Sequence, residues 1–172
     1  LDLIDARPAQ ALERLRIAHE SALDLRDHAV LLTLQGTLAR AYFSVGDRVA
    51  ARKFAQQALA AAQERQLTAY NALDGYLAPA EVFAQLAEIT DDVSERRELL
   101  RLAGRALRAA VHCALVFPIG EPRAARVVGI YARLRGQTGV ARACFQRALR
   151  AAKALSMPYE AQLAQAELDA AR

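Results

Sequence analysis

The sequence predicts an all-α fold of about eight helices, packed as antiparallel pairs in an array. Three observations predict it. Hydrophobic residues make up 54 % of the 172 residues but aromatics only 6 %, so the apolar content is chiefly Ala, Leu and Val. Ala and Leu are strong helix formers, and small side chains let helices approach closely. Glycine and proline punctuate the chain at intervals that suit helices, and nothing alternates with period two over a useful length, so no strand is expected. A chain of this size buries about two thirds of its extended surface, and none of it has the polar, low-complexity composition of a disordered tail.

Pro8 suits the first turn of a helix reaching about Leu25, where its missing N–H is not needed. A second helix runs from about His28 to Val45 and stops at Gly46, the residue type that most easily takes the left-handed C-terminal conformation. Asp47 can cap a third, to about Gln66. A fourth spans about Thr68 to Ile89 with Pro79 inside it, which predicts a kink or break near Gly75–Pro79. Asp91, Asp92 and Ser94 form a polar corner before a long fifth helix, about Ser94 to Val116, ended by Phe117-Pro118-Ile119-Gly120. Pro122 opens the sixth, which closes at Gly136; the seventh spans about Thr138 to Leu155, and Pro158 starts the last. The expected organisation is a single domain over 1–172, with helix pairs at about 28–66, 68–116 and 121–155 flanked by helices at about 8–25 and 158–171.

A shift of 90 residues lays Leu32–Arg65 over Pro122–Leu155, and Gly46/Gly136, Ala51/Ala141, Arg52/Arg142, Gln56/Gln146, Ala58/Ala148, Leu59/Leu149, Ala61/Ala151 and Ala62/Ala152 coincide. A weaker copy, Arg105-Ala106-Leu107-Arg108-Ala109-Ala110, echoes Arg147–Ala152. Self-similarity of this kind marks a helical array rather than a bundle. The first pair offers Leu38-Ala39, Tyr42, Gly46-Asp47, Ala51, Ala55 and Ala58; the last offers Val128-Gly129, Gly136, Ala141, Phe145 and Ala148. These positions resemble the tetratricopeptide repeat (TPR). Small residues at 39/129 and 51/141 would let the helices of a pair touch, and Tyr42 and Phe145 would fill the gap to the next pair. Gln35 and Ala125 stand where that repeat has an early aromatic, and the second helices are longer than usual, so the pattern is TPR-like. The resemblance implies a right-handed superhelical array.

From about Ala69 onward, Asp74-Gly75-Tyr76, Ala80-Glu81-Val82-Phe83, Val116–Arg123, Gly136 and Met157-Pro158-Tyr159-Glu160 occur in order. Over roughly residues 70–165 these segments resemble the C-terminal helical-repeat region of large bacterial signalling ATPases. In that family a nucleotide cyclase or Ser/Thr kinase module precedes an AAA/STAND-type ATPase. The resemblance implies a regulatory, non-catalytic domain of a longer polypeptide, which also suits a chain opening on Leu1. The family's ATPase, cyclase and kinase motifs have no counterpart here.

The net charge of +4 is unevenly spread: residues 1–90 carry 9 basic and 11 acidic groups, and residues 91–172 carry 14 and 8. Such asymmetry marks either a solvated arginine-rich face or an acidic partner. Cys113 and Cys144 are the only cysteines, which gives no disulfide framework and suits a reducing compartment. No apolar run approaches the roughly 18–20 residues that span a bilayer, and no signal-peptide pattern is present. No membrane partner and a cytoplasmic location are the expectation.

Motifs for chemistry are absent. There is no phosphate-binding G-x-x-x-x-G-K-[ST], no H-E-x-x-H and no C-x-x-C, so no cofactor or metal is expected. His112 and Cys113 are helix neighbours pointing about 100° apart, with Cys144 the one thiol that could approach them across helices. Glu81, alone among apolar residues, must be solvated in a groove or paired with an arginine. Arg97, Arg101, Arg105 and Arg108 recur at helical spacing on the fifth helix, the outer one of its pair by the repeat correspondence. The first helices would line a groove presenting Arg40, Phe43, Glu81, Gln85, Arg123, Arg126 and Arg133. Such a groove suits an acidic peptide or a neighbouring domain of the same polypeptide. The expected function is thus non-catalytic protein–protein interaction in a bacterial signalling protein. One alternative is the sensor array of a transcription regulator, or another nucleic-acid-associated module, for which no recognition helix or stacking platform speaks. Another is an all-α enzyme acting on an anionic metabolite through Glu81. Apolar end faces also make a homodimer conceivable.

Overall fold

The computed structural model describes residues 8–25, 27–64 and 72–170. Among them the chain is all-helical and contains no strand. Eight helices follow one another: α1 (Pro8–Leu25), α2 (His28–Ser44), α3 (Arg48–Glu64), α4 (Leu73–Ile89), α5 (Val93–Val116), α6 (Glu121–Leu134), α7 (Thr138–Ala154) and α8 (Pro158–Ala170). A single 3-10 turn, Pro118–Gly120, joins α5 to α6. The expected start of the fourth helix at Thr68 lies outside the described residues.

Local chemistry sets the boundaries. Asp27 accepts hydrogen bonds from the Ala29 and Val30 amides, Asp47 from Ala50, and Asp92 from Ser94 and Glu95. Each satisfies donors that a helix N-terminus leaves unpaired. Three helices end in one geometry. Gly46 (φ 84°), Gly136 (φ 76°) and Ser156 (φ 54°) take the left-handed conformation. The following amides of Asp47, Gln137 and Met157 reach back to the carbonyls of Tyr42, Ala132 and Ala152, closing a Schellman turn each time. Gly46 and Gly136 stand 90 residues apart, the shift at which the sequence matches itself.

Every helix packs on its chain neighbour, and the even-numbered helices also pack on one another in the order α2, α4, α6, α8. At the centre lies α4, with 12 of its 17 residues buried. The largest core cluster runs through it, joining Ala39, Ala51, Ala55, Leu77, Phe83, Leu99, Ala103 and Val127 from α2 to α6. Pro79 breaks nothing: α4 is continuous through it, and the ring is fully buried. Packing on several sides outweighs the one backbone hydrogen bond that proline forgoes.

The aromatic residues pack within their own pairs and also across to neighbouring ones: Phe145 shares a core cluster with Ala84 of α4, Leu168 of α8 packs against that cluster, and Tyr42 packs against the core that runs from α2 to α6. Tyr42 stacks on Phe54 of α3, with ring centroids 5.3 Å apart. Phe145 is fully buried on Gly129 of α6, where an added Cβ would lie 2.4 Å from the ring. Between α2 and α4 the approach is closer still. A Cβ on Gly36 would fall 2.6 Å from the Asp74 carbonyl oxygen, and one on Gly75 2.5 Å from that of Leu32. Two glycines bring these backbones together, and this crossing sets Asp74 beside Arg40.

Candidate functional site: a buried charge cluster across four helices

Among the described residues three charged ones are buried: Glu81 at 5 % exposure, Arg126 at 6 % and Arg123 at 8 %. They meet. Glu81 Oε2 accepts from Arg123 Nη2 at 2.7 Å and Nε at 3.1 Å, and Glu81 Oε1 accepts from Arg126 Nη2. The third Arg123 nitrogen, Nη1, donates to Asp74. Arg40 approaches from α2, with Nη1 3.5 Å from Asp74 Oδ1 and Nε 3.6 Å from Glu81 Oε2. Arg126 Nε faces Glu160 Oε2 on α8 at 4.0 Å. One residue or more from each of α2, α4, α6 and α8 therefore enters a single cluster of three arginines and three carboxylates.

Burial alone would push the Glu81 carboxyl up, but the guanidinium groups of Arg123, Arg126 and Arg40 outweigh it and hold it at about 2. Arg123 shows the converse. Burial would lower its affinity for a proton, yet Glu81 and Asp74 raise it above that of an ordinary arginine. Both groups are ionised at neutral pH, and each would be costly to bury alone. A carboxylate held this firmly ionised, with both oxygens occupied by arginines, cannot serve as a general acid.

The seven groove residues divide. Arg123 and Arg126 do not stand free for a partner, because the chain's own carboxylates hold them. Arg133 is also engaged, with Nη1 2.7 Å from Glu88 Oε1 and Nη2 3.6 Å from Glu167 Oε2. Arg40, whose side chain is 40 % exposed, keeps only long contacts. Phe43 and Gln85 are half-buried. On α5, Arg97, Arg101 and Arg108 are exposed, and Arg105 donates to Gln63 at 2.9 Å. Burial pushes the Cys113 thiol up to about 11, leaving little thiolate at neutral pH. Among the described residues no group of three or more His, Cys, Asp or Glu could hold a metal ion.

Asp74 and Glu160 escaped the sequence reading as site residues, although a signal for them existed. The segments 74–76, 80–83, 116–123 and 157–160, distant along the chain, deliver Asp74, Glu81, Arg123 and Glu160 respectively to this one cluster. No helix of the described residues is long and apolar enough to cross a membrane. No protein-family model matches the chain, and no curated protein matches it.

Proposed function

We propose that the chain is a non-catalytic protein-interaction domain: a TPR-like, right-handed superhelical array serving as the regulatory C-terminal part of a bacterial signalling ATPase. The reading is carried by an asymmetry of packing. Even-numbered helices pack on one another at every step from α2 to α8, whereas among odd-numbered ones α3 and α5 touch along a short stretch and α5 and α7 make no substantial contact. Such a stack curves with its even-numbered helices on the inside, the surface on which arrays of this class present binding residues. The recurring left-handed corners at Gly46 and Gly136 support the same repeat.

The charge cluster is the brace of that inner face. Convergence of four of the segments that resemble those of signalling ATPases on a cluster in which three arginines face three carboxylates favours a scaffold held in one register over a reaction centre. The partner, a peptide or a neighbouring domain, lies along the open flank of the cluster, where Arg40, Phe43 and Gln85 remain accessible. Pull-down from host lysate, with the wild-type chain against Arg40→Ala and Gln85→Ala, tests this. Recovery of the partner is expected to fall at least severalfold while both variants keep the wild-type helical circular dichroism; equal recovery with both variants sinks the inner-face site.

A further inference from the structure

From α2 onward charge is sorted by helix. The odd-numbered α3, α5 and α7 carry 12 basic and 3 acidic residues, while α2, α4, α6 and α8 carry four basic and seven acidic. The four basic residues of the even-numbered helices all have carboxylate partners. On the odd-numbered helices Arg48, Lys53, Arg97, Arg101, Arg142 and Arg150 are exposed and have no carboxylate within ion-pair distance. An arginine surface without counter-charge attracts anionic partners.

One place on this surface is also shaped. Between α3, the end of α4 and the start of α5 lies an open cleft of about 360 Å³. Leu86 and Leu99, both buried, form its apolar floor, and Val49 and Ile89, 82 % and 40 % exposed, stand at its rim. The unpaired cations Arg48 and Lys53 flank it. Arg52, which also lines it, is held across the cleft by Glu95 and Glu98 at 3.2 and 3.0 Å, tying α3 to α5 and keeping the walls apart.

We propose that this cleft is a second docking site, distinct from the inner face, for an acidic protein segment carrying one large apolar anchor residue. The anchor enters between Val49 and Ile89 onto Leu86 and Leu99. Carboxylates flanking it pair with Arg48 and Lys53. The volume suits one large side chain with its backbone rather than a folded domain. A nucleic acid could satisfy the cations but has no branched aliphatic side chain to fill the cleft. Among the described residues Tyr159, on α8, is the one exposed Phe or Tyr ring, so no stacking platform accompanies the basic surface.

The inference rests on the protein-interaction reading, and the test separates the two. A phage-displayed library of random 12-residue peptides is selected on the immobilised chain. Enriched peptides are then measured by fluorescence anisotropy against the wild type, Arg48→Glu/Lys53→Glu and Arg40→Ala, with a 20-base-pair DNA duplex as competitor. Enrichment of a Leu, Ile or Phe flanked by Asp and Glu is expected. Affinity should fall at least tenfold in Arg48→Glu/Lys53→Glu, at least tenfold when the anchor is changed to Ser, and stay unchanged in Arg40→Ala. Peptides weakened by Arg40→Ala but not by the cleft variant would overturn the cleft and leave the inner face standing. Absence of any binder would overturn both, and a duplex that outcompetes the peptides would hand the basic surface to nucleic acid.

Discussion

Glu81 shows how much a single residue can be asked to hold. Its carboxyl sits at about 2 in the fold against an ordinary value of 4.5, the guanidinium groups having overcome the effect of burial. A carboxyl whose folded value is depressed lends stability that is fully present above its unfolded value and lost as pH falls toward its folded one. The shift corresponds to about 3 kcal/mol at neutral pH. Thermal unfolding from pH 7 to pH 2 should therefore show a plateau down to about pH 5 and a steep decline below it. Glu81→Gln leaves two buried guanidinium groups short of a charge, which costs about 3–5 kcal/mol at pH 7, and its acid decline should be shallower. Parallel declines in both proteins would locate the acid-sensitive group elsewhere. That Glu81 needed an arginine was legible in its apolar setting. Which arginines was not, because Arg123 and Arg126 lie 42 and 45 residues away, and only the register of α6 against α4 aligns them.

Helix ends were legible for the opposite reason: caps are local. Asp47, Asp92, Gly46, Gly136, Pro122 and Pro158 act within a few residues of their own position, so α2, α5, α6 and α7 fall within a residue or two of where the sequence put them, and α3 and α8 start there, their expected ends at Gln66 and 171 lying outside the described residues. A break at Pro79 does not occur because its local cost is set against the burial of a whole helix, which no window of sequence displays. The α2–α4 crossing was equally hidden, since Gly36 and Gly75 signal a close approach only once it is known that they face each other. Gly36→Ala would drive a methyl group into backbone atoms, Asp74 O at 2.6 Å and Gly75 Cα at 2.8 Å. No side-chain rotation relieves that contact, so a loss of about 1–3 kcal/mol is expected. Gly139→Ala is the matched control. Its Cβ meets nothing within 4 Å in the first turn of α7, and helix propensity should make the change neutral or stabilising by up to about 1 kcal/mol. Chemical denaturation of both variants reads the contrast, and equal effects would remove the close crossing as the determinant of the α2–α4 register.

At the scale of the whole molecule, the distinction between an array and a bundle is a matter of how far a perturbation travels. In an array each pair is held by its neighbours alone, so damage at one end stays there. Here α8 packs on α7 and α6 and makes no substantial contact with α2, α3 or α4. Ala164 closes a small cluster with Ala125 and Ala148, and Leu168 packs against the cluster containing Phe145. Truncation before Pro158 would uncover both clusters and take Glu160 and Glu167 from Arg126 and Arg133. Hydrogen exchange should then show lost protection in α7 and the adjoining face of α6, with α2 and α3 exchanging as in the intact chain. The cluster at Glu81 lies between these limits: it loses one of its three carboxylates, so α4 should exchange faster by an intermediate factor. Uniform loss of protection from α2 to α7 would mean that the chain unfolds as one cooperative bundle. The repeat-array reading, and the inner and outer faces that depend on it, would then have to be withdrawn.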